Sequence, residues 1–257
     1  MNILITGADG FIAKNLISVL RKKNDLNLLL LTRRNEDELD SFVQQADFIY
    51  HLAGVNRPKE AHEFYMGNSG LTERLVTLLK KHQKNTPILL SSSTQAEADN
   101  DYGKSKLRAE EAVLAYSKQT GAEIFIYRLP NIFGKWSKPN YNTVIATWCY
   151  NMTHDLPINV DNPKALLSLV YIDDVINSFV EHLQHHSKTS AYCNIDRIYH
   201  KNLEEIVSLL HAFKKNRNSL EIPPAGNEFE RALYTTYLSF LDAPENREHS
   251  GTHFLKV

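Results

Sequence analysis

Short apolar runs alternate with longer amphipathic stretches from the first residues onward, the pattern of βαβ units feeding a parallel sheet. Residues 2–6 predict a strand. Phe11, Ile12, Leu16, Val19 and Leu20 then recur on one face of a helix running from about Gly10 to Lys23. A second strand is expected over Leu28 to Thr32. A short polar helix near 36–45 leads into a third strand over Asp47 to Leu52, and the next helix ends over Leu71 to Lys81 with Leu75, Leu78 and Leu79 inward. Pro87 to Ser91 predicts the fourth strand, Tyr102 to Lys118 a helix, and Glu123 to Arg128 the fifth strand. Five strands with crossover helices make half or more of a doubly wound sheet, so the expected class is α/β and Rossmann-like.

After Arg128 the texture changes. Pro130, Pro139, Pro157 and Pro163 break the chain, aromatic and polar residues mix from Trp136 to Tyr150, and no further regular βα repeat is expected there. A helix near Asp173 to His185, a strand near Ala191 to Ile195, a helix near Asn202 to Lys214 and a last helix from Glu228 to Leu241 return to the earlier style. The chain lacks internal repeats and long linkers. Residues 1–128, rejoined by 167–195, are therefore expected to form a core, with 129–166 and 196–257 packed on it as a second, smaller part.

Composition narrows the function classes. The 257 residues are 42% hydrophobic and 23% charged, the usage of a folded protein with a sizeable core. With 29 basic and 30 acidic residues the net charge is -1, which gives no global field for nucleic acid or anionic lipid, so any anion must be bound locally. Two cysteines, Cys149 and Cys193, suit a reducing compartment. The first residues carry no basic leader and no apolar run approaches the ~18 residues of a membrane span, so a soluble cytoplasmic protein is expected. The eleven histidines show no metal-ligand spacing, so no metal site is expected; His51, in an apolar strand, reads as a satisfied core residue.

Thr6-Gly7-Ala8-Asp9-Gly10-Phe11-Ile12-Ala13 lies between the first strand and the first helix, where a dinucleotide fold places its pyrophosphate turn. Gly7 allows the tight turn, Gly10 the approach of backbone to phosphate, and Ala13 close packing of helix on sheet. The helix N-terminus offers free N–H groups and partial positive charge to a diphosphate. After the second strand the chain reads Leu31-Thr32-Arg33-Arg34, with no acid until Glu36. Arginines there suit a 2'-phosphate where an Asp or Glu suits ribose hydroxyls, so NADPH is the expected cofactor.

Strand four runs into Ser91-Ser92-Ser93-Thr94, and the following helix begins Tyr102-Gly103-Lys104-Ser105-Lys106. Tyr102 and Lys106 are four apart and so share a helix face. A phenol of pKa ~10 is a poor proton shuttle at neutral pH, and an ammonium beside it favours phenolate. Ser93, at the carboxyl end of a parallel strand, can hold a carbonyl oxygen next to the Tyr102 hydroxyl. Ser93, Tyr102 and Lys106 are the candidate catalytic residues. Lys135 and Lys138 around Trp136 offer charge to a diphosphate and a face to a ring.

This arrangement resembles the short-chain dehydrogenase/reductase superfamily, in its extended branch acting on nucleotide sugars. The resemblance rests on the Gly7/Gly10/Ala13 turn, His51-Leu52-Ala53-Gly54, Ser93, Tyr102 with Lys106, Arg128 to Gly134, and Tyr171-Ile172-Asp173-Asp174-Val175. More narrowly, Val55-Asn56-Arg57-Pro58, Gly134 to Asn142 and Leu233 to Leu238 resemble the reductase domain of capsular-polysaccharide enzymes that make UDP-N-acetyl-L-fucosamine precursors. It implies NADPH-dependent reduction of the C4 ketone of a UDP-2-acetamido-2,6-dideoxy-hexos-4-ulose. For the cofactor it implies Asp9, Phe11 and Ile12 beside the glycines Gly7 and Gly10, Arg33 and Arg34, then Leu52, Ala53 and Gly54, with Tyr102, Lys106 and Arg128. For the UDP-sugar it implies Arg57, Thr94 and Asn131, then Lys135, Lys138 and Asn140. It further implies a homodimer through the helices of residues 60–81 and 102–118.

Members of that narrower group carry a metal-binding cupin domain after the reductase. Residues 247–256 resemble its beginning, but two histidines cannot build its metal site, so epimerisation by this chain is not expected. A 4,6-dehydratase of the same fold carries an acidic pair after the strand-four serine or threonine. Here Thr94-Gln95-Ala96 stands in that place and favours simple reduction. A 4-epimerase would instead retain its nicotinamide, and a non-catalytic NADP sensor would not need Tyr102 and Lys106.

Overall fold

The computed structural model describes residues 1–56, 58, 60, 62–141, 143–183, 191–219 and 226–241. The chain runs β1 (Asn2–Thr6), α1 (Phe11–Leu20), β2 (Asn27–Leu31), a 3-10 stretch (Arg33–Glu38), α2 (Leu39–Gln45) and β3 (Phe48–His51). A short α3 (His62–Phe64) continues through a π-helical stretch (Tyr65–Gly70) into α4 (Leu71–Lys81). Then come β4 (Ile88–Ser93), α5 (Asp101–Thr120) and β5 (Ile124–Leu129).

With β8 (Tyr192–Cys193), these strands form a six-stranded parallel sheet in the order β2-β1-β3-β4-β5-β8. Both faces are covered, which is why the strands read as nearly unbroken apolar runs. Side chains still divide by alternation: Ile3, Ile5, Phe48 and Tyr50 pack with α1 and with Phe179, whereas Leu4, Ile49, Ile88 and Leu90 face α2, α4 and α5. The chain passes from β1 outward to β2 on one side and then crosses back to β3 on the other, so the switch point of the sheet lies between the carboxyl ends of β1 and β3. That crevice locates the site.

Where no regular repeat was expected, the chain builds one. β6 (Asn131–Phe133), α6 (Val144–Thr153) and β7 (Leu166–Tyr171) form a βαβ unit, with β6 and β7 parallel and β9 (Tyr199–Asn202) antiparallel to β7. A three-residue strand and a proline-broken connection hid the pattern. With α8 (Leu203–Ser219) and α9 (Glu228–Leu238), this sheet encloses its own cluster around Phe133, Trp148, Leu210, Phe213 and Leu233. Buried Cys149 packs within it. α7 (Ile172–Glu181) follows β7 directly and returns to the large sheet through Val175, Ile176 and Phe179.

Several boundaries differ from expectation. The strand near 191–195 shortens to two residues; α7 closes at Glu181, and α9 at Leu238 rather than Leu241. The tail motif at 247–256 lies outside the described residues. Among those residues, no helix is long and apolar enough to cross a membrane.

Candidate active site

β1 ends in Thr6, and Gly7 turns the chain at φ +68, in the left-handed region. A Cβ on Gly7 would lie 2.7 Å from the Ala53 Cα, so the turn after β1 and the chain after β3 approach as only glycine allows. The turn closes with Gly10 N–H donating to the Gly7 carbonyl at 2.8 Å. Gly10 then begins α1 without a side-chain cap, and no acid occupies the first turn. Free N–H groups facing a glycine-lined crevice fit a dinucleotide diphosphate.

A hydrogen-bonded chain fixes this turn to the neighbouring elements. The Ala53 N–H donates to Thr6 Oγ1 at 3.1 Å, and Thr6 Oγ1 lies 2.7 Å from His51 Nδ1. On the far side, His51 Nε2 lies 2.8 Å from Thr72 Oγ1, whose own proton goes to the Asn68 carbonyl at 2.7 Å. With that hydroxyl proton committed, Nε2 carries the imidazole hydrogen and Nδ1 accepts from Thr6. Burial, and secondarily the Lys106 charge, hold the His51 pKa down at about 3, so the ring stays neutral. Asn68 then clamps the loop after β3: its Oδ1 accepts from Val55 N–H at 2.9 Å and its amide donates to Ser105 Oγ at 2.9 Å. Sequence reasoning missed Asn68, because its π-helical setting breaks the periodicity that marks helix faces.

Ser93 closes β4, and its Oγ accepts from the Gln95 N–H at 3.2 Å to start a 3-10 turn over Thr94–Glu97. Asn100 caps α5 by accepting from the Gly103 N–H at 2.8 Å. These two turns bring Tyr102 back over the end of β4, where the Ser93 side chain lies near enough to its hydroxyl to influence its ionisation. Lys106 lies one turn on, with Nζ donating to the Ser91 carbonyl at 3.2 Å and sitting 6.0 Å from the Tyr102 ring centre. Glu110, one turn further, is fully buried.

Burial dominates the electrostatics. It pushes the Lys106 ammonium down to about 8, with the Glu110 charge opposing it. It also raises the Tyr102 phenol above its ordinary value, against the influence of the Ser93 side chain. The expected depression of the phenol by Lys106 is therefore not a property of the chain by itself. Desolvation dominates and keeps Tyr102 protonated.

A cleft of about 720 Å³ opens on these groups. It brings together Asp9, Gly10, Phe11 and Ile12 from the turn, Ser93, Thr94, Tyr102 and Lys106 from the β4 side, and Asn131 and Lys138 from the second part. Asn56, Gln95 and Tyr141, which lie in strings the sequence singled out, also line it, as does Thr143, which gave no sequence signal. Trp136 lines it half exposed, at φ +67, a costly conformation for a bulky residue. Three candidates are not among the residues that line this cleft or the cavity beside it. Arg128 grips buried Glu110, with Nη2 2.7 Å from Oε2, and also pairs with Glu97. Lys135 lies 3.6 Å from Asp173 and over the Trp136 ring. Asn140 donates its backbone N–H to Thr147 Oγ1. Arg57 lies outside the described residues. Among them, no group of three or more His, Cys, Asp or Glu is placed to hold a metal ion.

A second cavity of about 470 Å³ adjoins the first through shared Asp9, Gly10, Arg33, Leu52 and Gly54. Arg34, Ala53, Met66 and Leu71 also line it. So does Glu36, whose carboxylate is held by Arg74 at 2.7 Å. Arg34 in turn lies 3.5 Å from Asp9.

The NAD dependent epimerase/dehydratase family matches residues 3–195 of this chain. Over 260 aligned residues, 98% of this chain and 70% of the relative, the sequence is 39% identical to the UDP-2-acetamido-2,6-beta-L-arabino-hexul-4-ose reductase of Pseudomonas aeruginosa. The capsular polysaccharide assembling protein CapF of Staphylococcus aureus superposes with TM-score 0.85 at 42% identity, covering 94% of this chain and 66% of that one. The chain thus spans about two thirds of that protein's length. The UDP-glucuronic acid 4-epimerase of Bacillus cereus, solved with NAD, has the same fold at TM-score 0.79 and 19% identity, covering 93% of this chain and 96% of its own.

Proposed function

The chain belongs to the NAD dependent epimerase/dehydratase family, and from that membership we propose that it reduces the C4 ketone of a UDP-linked 2-acetamido-2,6-dideoxy-4-keto-hexose with NADPH, in capsule or O-antigen sugar synthesis. One observation carries the reading: two hydroxyls, Ser93 and Tyr102, meet inside the cleft at the carboxyl end of β4, with Lys106 one turn away.

A ketone becomes an alcohol by gaining a hydride at carbon and a proton at oxygen. The nicotinamide supplies the hydride when bound. Tyr102 donates the proton, and reduction needs it as the phenol, the form its burial preserves. Ser93 donates to the same oxygen and holds it in line as charge develops there. Lys106, anchored on the Ser91 carbonyl, places a positive charge where the phenolate forms. The uncapped start of α1 holds the cofactor diphosphate, and Arg33 and Arg34 take the 2'-phosphate. Asn131, Lys138 and the exposed face of Trp136 receive the UDP-sugar.

Dehydration would need an acidic pair after Ser93, and the turn there presents Thr94 and Gln95 to the cleft instead. The reading includes a division of labour between core (1–128 with 167–195) and substrate-binding part, a homodimer through the helices of residues 60–81 and 102–118, and a cytoplasmic location. The test is turnover of a UDP-4-keto-6-deoxy-N-acetylhexosamine with NADPH. Reduction consumes one NADPH per product and adds two hydrogens to the sugar mass. A mass-neutral product without NADPH consumption would overturn it in favour of epimerisation.

A further inference from the structure

Charge pairing at the adenosine end of the groove carries a further inference, which rests on the NADPH reading. Among the described residues two carboxylates line the second cavity, Asp9 and Glu36. Glu36 sits in the 3-10 stretch just after β2, close to the place where an acid in such folds accepts the ribose hydroxyls and repels a 2'-phosphate. It lines the same space as Arg33 and Arg34, so distance along the chain does not keep it out of the cofactor site. A different contact disarms it. Arg74, from α4, places Nη1 2.7 Å from Glu36 Oε1 and Nη2 3.5 Å from the Glu36 backbone carbonyl. The planar guanidinium therefore restrains both the carboxylate and the backbone that presents it, which a point charge on a flexible stem would not do.

We propose that Arg74 is a specificity-determining residue for the cofactor: by engaging Glu36 it offsets one of the two acids of this cavity, the other being Asp9 beside Arg34, and so favours receipt of a 2'-phosphate by Arg33 and Arg34. Arg74 acts through Glu36 and is a positioning residue. The pair joins α4 to the segment after β2 across 38 residues, a spacing at which sequence reading sees only an isolated arginine on a helix face.

The test is equilibrium binding, by cofactor fluorescence, of NADPH and NADH to the full chain and to three variants, with melting temperatures recorded. Arg74→Gln, and Arg74→Met, which keeps the aliphatic stem, free the Glu36 charge. Each should move the ratio of dissociation constants toward NADH by roughly three- to tenfold, the size of one partly screened charge near a phosphate. The double variant Glu36→Gln with Arg74→Gln removes both charges and should restore the ratio. An unchanged ratio in both folded single variants, or a double variant shifted like the singles, overturns the proposal. The unmodified chain reports separately on the NADPH reading: a preference for NADH there would sink that reading, while the change on removing Arg74 judges the inference alone.

Discussion

The Ser93 side chain lies near enough to the Tyr102 hydroxyl to oppose the rise in its pKa, although one residue ends a buried strand and the other begins a helix. Their meeting depends on how tightly the intervening turn folds under α5. A Cβ on Gly103 would lie 2.3 Å from the Gln95 carbonyl oxygen and 2.6 Å from that of Ala98, so only glycine lets the first turn of the helix settle there. Gly103→Ala must lift Tyr102 from Ser93. A displacement of about 1 Å at reacting groups costs on the order of 10²-fold, so kcat should fall by about that factor while NADPH affinity, set at the other end of the cleft, holds. A fall in affinity without a fall in kcat would refute the coupling.

Lys106 gives the reaction an alkaline limit. Its folded pKa is lowered from 10.5 to about 8, so the ammonium is present below pH 8 and lost above it. Activity should decline through that pH, well before the raised Tyr102 phenol ionises. The stability consequence has the opposite sense. Between about 8 and 10.5 the unfolded chain binds more protons, so stability rises with pH across that window. Lys106→Met removes a desolvated charge and should abolish the alkaline limb and most turnover, while leaving the melting temperature at pH 7 unchanged or higher. Tyr102→Phe should lose ~10²- to 10⁴-fold in rate and keep its melting temperature. A pH profile flat to 10 would contradict the assignment to Lys106.

The α/β class was legible because alternation of apolar runs and amphipathic stretches is imposed by a sheet buried on both faces, and Ile3 to Ile5 show it directly. Tyr102 and Lys106 were legible because helical spacing of four puts them on one face whatever surrounds them. Asn68, Arg74 and Glu110 were not. Each acquires its role from a partner far along the chain: Asn68 from Val55, Arg74 from Glu36, Glu110 from Arg128. Arg128 shows the same dependence: sequence places it at the end of β5 near the cleft, and the register adds what spacing could not, setting it beside Ser92 and within reach of the carboxylate of Glu110. The net electrostatic direction at Tyr102 depends on how much of the phenol is buried, and spacing is silent on burial.

The Arg128–Glu110 pair is structural, and its removal should read as stability. Glu110 is inaccessible and accepts from Ser92, Tyr192 and Arg128. Glu110→Ala strips the guanidinium of its buried partner. Breaking such pairs costs ~3–5 kcal/mol, and the low end applies because Arg128 keeps Glu97 and some contact with water. Urea unfolding should show a lower midpoint at unchanged slope. A Glu110→Met/Arg128→Met double variant should recover part of the loss, since the guanidinium leaves with its partner while buried Lys106 still loses the Glu110 charge that favours its ammonium. Equal instability of the single and double variants would point to packing instead.

Gly7 and Gly121 separate backbone conformation from close approach. Both adopt positive φ, +68 and +75, and alanine at either should incur the same conformational cost of roughly 1 kcal/mol. Their surroundings differ. Gly121 ends α5 facing open space, with nothing within 4 Å of an added Cβ, whereas at Gly7 the methyl would meet the Ala53 backbone between β1 and β3. Gly121→Ala should therefore lose about that conformational cost alone and bind NADPH normally. Gly7→Ala should lose more stability, because backbone cannot swing aside as a side chain can, and should lose cofactor binding, because prising the two loops apart redirects the N–H groups at the start of α1. Isothermal titration with NADPH beside thermal melts distinguishes the two, and normal affinity in Gly7→Ala would mean that the diphosphate lies away from this turn.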